Sequence, residues 1–149
     1  MRGPLIAGAL LTVLSGCGGG TEASSSSTPS EEKVAAPEGL VCADEATPVD
    51  PPPDLPAVIP LPEGTVITSA EERSGRRLVI DGVAPDDFRT TLTFFQDSYA
   101  EAGLELTGGE VEERDAESDF AGAGYRGRWK VTDIAECGDT RIELVVAPG

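Results

Sequence analysis

The chain has 149 residues, of which 27 are acidic and 11 basic, and its formal net charge is −16. This excess of carboxylates argues against nucleic acid as a partner, because neutralising phosphates requires clustered lysine and arginine. No histidine is present, which excludes histidine-based metal sites and every catalytic arrangement in which histidine activates a serine or cysteine. The composition therefore describes an acidic protein that lacks the most common catalytic base.

The N-terminal segment has the pattern of an export signal. Residues 1 and 2 supply a positive start, and residues 4–14 form an apolar run of about eleven residues, the length of a secretory signal core. A membrane-spanning helix needs roughly twenty apolar residues, so this run is too short to cross a bilayer stably. The sequence Leu-Ser-Gly-Cys follows at positions 14–17, with small residues immediately before the cysteine.

This sequence resembles the lipobox of bacterial lipoproteins, with Leu14, Ser15, Gly16 and Cys17 matching its four positions. In that family the cysteine thiol receives a diacylglyceryl group, and cleavage leaves the modified cysteine as the first residue. The resemblance implies that residues 1–16 are a signal peptide and that Cys17 carries a lipid of the palmitate type. It also implies a protein anchored on the extracytoplasmic side of the cell membrane. The alternative is a plain secretory signal cut elsewhere, with Cys17 incidental.

Residues 17–54 are predicted to form a flexible, acidic linker rich in glycine, serine and proline. Segments of glycine and serine cannot bury enough apolar surface to offset the entropy of ordering, so we expect a tether that holds a domain clear of the membrane. The prolines between Pro48 and Pro62 exclude regular helix and central strand, and they predict an extended polyproline-like chain across the domain surface. The apolar residues at 58–61 are expected to pack against that domain.

Cys42 and Cys137 are the cysteines that remain when Cys17 is lipidated. An exported protein folds in an oxidising compartment, so a disulfide between them is the predicted state. The alternative is a pair of free thiols acting as a reactive or metal-binding pair, but the chain has neither histidine nor a CxxC spacing. The bridge would fasten the end of the linker to a late turn of the domain.

Residues 55–149 are predicted to be a single small domain that begins with a hairpin and a helix. Two β-rich runs, residues 65–69 and 76–81, flank a turn at Ser74-Gly75. A helical spacing of apolar residues follows, and we expect Pro85 at the first helical position, with Asp86 and Asp87 near the positive N-terminus and Gly103 at the end. The predicted buried face consists of Phe88, Leu92, Phe95, Tyr99 and Ala102.

After the helix the apolar pattern returns to the period of two that is typical of strands. Strands are predicted at Leu104 and Leu106, around Trp129, and at 142–146, with a turn at Gly138-Asp139. The predicted fold is therefore an α+β two-layer domain of order β-β-α-β-β-β. It has an antiparallel sheet of four or five strands and one helix packed on one face.

Two charged stretches are candidate binding sites. Residues 110–119 hold six carboxylates, which could bind Ca²⁺ because that ion prefers oxygen ligands, but their spacing lacks the geometry of a calcium loop. The simpler interpretation is a solvated hairpin whose charges prevent aggregation. Arg126, Arg128 and Lys130 alternate along a strand and could receive an acidic partner, or they could pair with Glu143 and its neighbours. No catalytic, metal-binding or cofactor-binding residue is predicted.

The sequence thus predicts an exported, lipid-anchored envelope protein whose small domain is a non-enzymatic binding or interaction module. Its membrane contact is the N-terminal lipid, and its expected partner is an envelope protein. The predicted interface is the sheet face without the helix, and the alternative is that this is an ordinary solvated sheet face. On the expected register this face carries Arg77, Val79, Asp81, Arg128, Lys130, Arg141, Glu143 and Val145. The alternative is a solute- or cation-binding lipoprotein that uses the acidic segment 110–119.

Overall fold

The computed structural model describes residues 40–149. The signal peptide predicted at 1–16, the lipid site at Cys17 and the linker up to residue 39 lie outside the described residues. The elements are β1 (Val66–Arg73), β2 (Arg77–Ala84), α1 (Phe88–Glu101), β3 (Leu104–Val111), β4 (Asp115–Gly122), β5 (Tyr125–Ile134) and β6 (Asp139–Pro148).

The strands form one antiparallel sheet of six in the order β1-β2-β6-β5-β4-β3. The prediction of four or five strands was therefore wrong, although one sheet with one helix was correctly expected. The strand that was missed is β4, whose inward positions are Ala116, Ser118 and Phe120. Only one of these is a large apolar residue, so the alternation that identifies a half-buried strand is weak there.

The helix α1 begins at Phe88 and not at Pro85, because Asp87 is the N-cap. The Asp87 carboxylate accepts hydrogen bonds from the backbone N–H groups of Arg89 and Thr90, at 2.9 and 3.1 Å. Hydrogen bonds from Thr90 hold the pKa of Asp87 below its usual value. Gly103 follows the helix with a φ of 73°, as is typical after a helix C-terminus. Within residues 40–149, no helix is both long enough and apolar enough to span a bilayer.

The core lies between α1 and the sheet and is organised by aromatic rings. The ring centroids of Phe95 and Trp129 lie 5.1 Å apart, and those of Tyr99 and Phe120 are also 5.1 Å apart. All four side chains are buried. Burial raises the pKa of the Tyr99 hydroxyl. The predicted helix face is thus confirmed at its centre, while Thr91 occupies a fully buried position that its polarity did not indicate.

The proline-rich segment before β1 supplies the rest of the layer on the helix side of the sheet. The helix packs mainly against β3, β5 and β6. Ile59 is part of the buried core. Three partly buried residues of the same segment pack against that core: Leu55, Val58 and Leu61. The backbone N–H of Val49 donates to the carbonyl of Ile67 in β1 at 2.8 Å. The expected packing of residues 58–61 is therefore confirmed.

The predicted disulfide between Cys42 and Cys137 is present, with the two Cα atoms 6.2 Å apart. Cys137 lies in the turn between β5 and β6. One residue after Cys42, the backbone N–H of Ala43 donates to the carboxylate of Asp139 at 2.7 Å. The bridge and this hydrogen bond together fasten the start of the described chain to the end of the sheet.

Two glycines on the sheet test how tightly it is packed. A Cβ added at Gly127 would meet the carbonyl oxygen of Val145 and the ring of Phe120, whereas at Gly108 it would meet only the carboxylate of Asp119, at 3.8 Å. We expect Gly127→Ala to lower the free energy of unfolding in urea by about 1–3 kcal/mol because of overpacking. Gly108→Ala should change it by less than about 0.5 kcal/mol. Equal effects of the two substitutions would contradict this packing.

Candidate functional site

The sheet face opposite α1 carries all the residues that the sequence assigned to it. We call this surface the outer face and define it by Arg77, Val79, Asp81, Arg128, Lys130, Arg141, Glu143 and Val145. On β2 the partly buried Val79 alternates with the buried Leu78 and Ile80. The same alternation on β5 and β6 places Trp129 and Leu144 in the core. The cross-strand register confirms that the eight residues share one face.

The centre of the outer face is apolar and partly exposed. Val79 lies opposite Val145, and Val145 lies opposite Arg128 on its other side. At one end of the face, Leu40 and Val41 lie beside Val83 and Arg141 around a cavity of about 240 Å³. The chain therefore covers that end, where Val83 is buried, and leaves the two central valines only partly covered.

Arg128 and Lys130 of β5 pair with β4, and not with Glu143 as one expectation had it. The guanidinium of Arg128 donates to both carboxylate oxygens of Asp119, at 2.8 and 2.9 Å, and to Glu117 at 3.1 Å. The ammonium of Lys130 lies 3.7 Å from a carboxylate oxygen of Asp115. These pairs form because β4 lies next to β5 and carries its three carboxylates at alternate positions, on the same face as Arg128 and Lys130.

Glu143 is engaged instead by its own strand. The guanidinium of Arg141 donates to Glu143 at 3.2 Å and, across the strand pair, to Asp81 of β2 at 3.0 Å. These three side chains form a second charged group on the outer face, next to the group around Arg128. Their ion pairs are partly exposed, so we expect them to specify strand pairing more than to stabilise the fold.

The acidic segment 110–119 is divided by the hairpin between β3 and β4. Half of its carboxylates, those of β4, are used by Arg128 and Lys130. The other three belong to Glu110, Glu112 and Glu113, which are exposed. Among residues 40–149, only Cys42, Cys137 and Asp139 form a group of three metal-ligand side chains with ligand atoms within 4.8 Å. The two sulfurs of that group are joined in the disulfide and cannot act as thiolate ligands.

Two arginines whose side chains lie on the same side of the sheet as the outer face form no ion pair with a described carboxylate. Arg126 is exposed and lies opposite Ala147 on β6 and Ala121 on β4. Arg77 is exposed at the start of β2. Neither belongs to any of the ion pairs found among residues 40–149. Sequence reasoning could not separate these from Arg128, because that distinction depends on which strand lies beside β5.

A cavity of about 270 Å³ opens on the helix side of the sheet, at the end where the proline-rich segment crosses it. Its lining includes the buried Leu78 and Val146 together with Pro56 and Tyr125. Three charged residues also line it: Asp54, Glu72 and Arg76. Sequence reasoning missed this cavity because it depends on the path of the segment before β1. Its lining combines no groups that define a particular chemistry.

Comparison of the chain with protein-family models, with curated proteins and with solved structures finds no match. The fold and the outer face therefore rest on the geometry described above.

The pairing of Arg128 with Asp119 predicts a pH dependence of stability. Hydrogen bonding from Arg128 holds the pKa of Asp119 below its usual value. A carboxylate with a lowered pKa stabilises the fold above its unfolded-state pKa, and this contribution is lost as the pH falls through the folded-state pKa. We therefore expect Asp119→Asn to lower the melting temperature at about pH 7, and this difference to shrink below about pH 4.

The control for this prediction is the same substitution in an Arg128→Gln background. Without the guanidinium, Asp119→Asn should have a much smaller effect on the melting temperature at neutral pH. A difference between Asp119→Asn and the unmodified protein that stays constant from pH 7 to pH 3 would contradict the assigned pair.

Proposed function

We propose that this protein is a non-enzymatic binding module anchored to the extracytoplasmic side of the cell membrane. A lipid on Cys17 holds it there, and the outer face of the sheet contacts a protein of the cell envelope. The observation that carries this proposal is the composition of the outer face, in which Val79 and Val145 form an apolar centre within a charged rim. Transient protein interfaces have the same organisation, with an apolar centre and a polar, solvated rim.

The position of the unpaired arginines supports a partner with acidic groups. Arg77 and Arg126 flank β6 at the end of the outer face away from Leu40 and Val41. Neither arginine has a carboxylate within ion-pair distance among residues 40–149, so an acidic group of a partner could pair with it without displacing one of the protein's own. Complementary charge at such a rim would set the orientation and the rate of association more than the affinity.

The alternative function, a solute- or cation-binding lipoprotein that uses residues 110–119, has weaker support. Three of the six carboxylates in that segment are bonded to Arg128 or Lys130. A cation that used these three would have to displace the ammonium and guanidinium groups. The interaction module is therefore the function that the geometry favours.

The anchor predicts a defined result for Cys17→Ala. Without the thiol no diacylglyceryl group can be attached, so metabolic labelling with a palmitate analogue should be lost and the precursor should remain uncleaved at position 17. Membrane fractionation and mass spectrometry of the N-terminus measure both effects. Cys42→Ala is the matched control and should keep its lipid label. A Cys17→Ala protein that is normally processed and still labelled would contradict the anchor.

The interface predicts site-specific cross-linking in intact cells. A photo-reactive amino acid at Val145 should form a discrete cross-linked product, whereas the same group at Asp97, exposed on α1, should not. Arg126→Glu should reduce this product at least threefold, and Arg89→Glu on the helix is the control with the same change in charge. Both arginines are exposed, so the free energy of unfolding should change by well under about 1 kcal/mol.

Arg128 is unsuitable for this test because its guanidinium joins β5 to Asp119 and Glu117 of β4. A charge reversal there would place three carboxylates together and disturb strand pairing. Equal cross-linking from Val145 and Asp97, or an unchanged product in Arg126→Glu, would show that the outer face is not the interface.

A further inference from the structure

The strand β3 is a free edge of the sheet. It pairs only with β4, and within residues 40–149 no segment pairs with its other side. The opposite edge differs, because Val49 there donates its backbone N–H to Ile67 of β1. An edge strand directs alternate N–H and C=O groups away from the sheet, and these groups can pair with another extended chain.

A groove runs between β3 and α1. It consists of two cavities of about 470 and 330 Å³ that share Gln96 and Leu106 in their walls. We call it the edge groove and define it by six of the residues that line the cavities: Gln96, Ala100, Leu104, Leu106, Gly108 and Trp129. A free edge beside a helix-lined groove is the arrangement used when a peptide adds as a strand, because alternate side chains of the peptide then enter the groove.

The middle of β3 gives a partner close access to the backbone. Gly108 and Gly109 have no side chains, and the hydroxyl of Ser118 donates to the carbonyl of Gly108 at 2.6 Å, next to the register shift after Leu106. A Cβ at Gly109 would meet the carbonyl oxygen of Glu117. Position 109 therefore requires glycine for its pairing with β4. The lack of a side chain there also leaves the free edge of β3 open to a partner.

The charge along the free edge of β3 has one sign, because its charged residues are Glu105 and Glu110 and none is basic. Leu104 and Leu106 face the groove, whereas Glu105 between them and Glu110, which lies opposite Glu117, are on the side of the strand away from α1. Glu105 and Glu110 are exposed and form no ion pair within residues 40–149. At the end of the strand Val111 is 59% exposed, so an apolar contact is available beside the carboxylates.

We propose that an extended, basic segment of a partner protein adds to β3 as a seventh strand and places alternate apolar side chains in the edge groove. The groove lies on the helix side of the sheet, and the alternate basic side chains of the added strand would face Glu105 and Glu110 on the opposite side. The site is separate from the apolar centre of the outer face, which lies on β2 and β6. A second copy of the chain is a poor occupant, because two β3 edges would bring Glu105 and Glu110 against like charges. Residues 18–39 of the chain itself are also acidic, with four glutamates and one lysine.

Trp129 provides an intrinsic signal for occupancy of the edge groove. It is the only tryptophan in the chain, it lines the cavity beside Gly108 and Gly109, and its indole N–H has no hydrogen-bond acceptor within the described part of the chain. A peptide that enters the groove would change the polarity next to the indole ring. Its fluorescence emission should therefore report binding.

The test uses the full lipidated chain in detergent and a heptapeptide in which lysine and valine alternate. We expect saturable binding with one peptide per chain. Trp129 emission and calorimetry both measure this binding. Two further peptides carry N-methyl groups on alternate backbone nitrogens, in opposite phases. Because only one phase of the peptide backbone faces β3, one methylated peptide should bind at least tenfold more weakly and the other nearly as well as the parent.

Matched charge variants separate this site from general attraction to an acidic protein. Glu105→Lys/Glu110→Lys should weaken binding at least tenfold, whereas Glu63→Lys/Glu136→Lys, with the same change in net charge at exposed sites off the groove, should weaken it less than threefold. The proposal is overturned if the parent peptide does not bind or if a lysine-proline heptapeptide binds equally well. It is also overturned if both double variants lose affinity equally, or if the chain alone forms a dimer that the peptide cannot dissociate.

Discussion

The fold depends on the attachment of the segment before β1 to the helix side of the sheet. Six strands span about 24 Å, because neighbouring strands lie about 4.8 Å apart. One helix is only about 10 Å wide, so α1 covers less than half of that face. Leu55, Val58, Ile59 and Leu61 supply apolar contacts that the single helix cannot. The proline-rich segment is thus a second covering element without regular secondary structure.

The disulfide holds the segment before β1 on the sheet by a covalent bond. A proline-rich segment forms few backbone hydrogen bonds, and here Val49 makes the one to β1. The bridge between Cys42 and Cys137 joins residues 95 apart in sequence, and closing so long a loop restricts the unfolded chain strongly. The covering segment can then stay in place without a strand or helix of its own. Because it lies on the helix side over most of its length, no part of residues 40–149 covers the centre of the outer face or pairs with the free edge of β3.

The sequence was most informative where one residue type repeated at a fixed period. The spacing of Phe88, Phe95 and Tyr99 predicted the helix, and the alternation around Val79 and Val145 predicted the outer face with its register. The sequence was uninformative at β4, since Ala116 and Ser118 are small inward residues. Without β4 in place, the partners of Arg128 could not be assigned, and the acidic segment and the basic strand looked like two separate sites.

The edge groove could not be predicted from the sequence either. It depends on β3 being at the border of the sheet, and strand order results from long-range pairing that local periodicity does not encode. The helix start was misplaced for a local reason, because Pro85, Asp86 and Asp87 each suit a position near a helix N-terminus. Only the backbone bonds that Asp87 accepts identify it as the N-cap.

The most direct test of this account is the stability of Cys42→Ala/Cys137→Ala, combined with hydrogen exchange at the Val49 amide. If the disulfide holds the covering segment on the sheet, the free energy of unfolding in urea should fall by about 2–5 kcal/mol. The Val49 amide should then exchange far faster than the amides of β5 and β6. An unchanged urea midpoint with full protection of the Val49 amide would contradict the account.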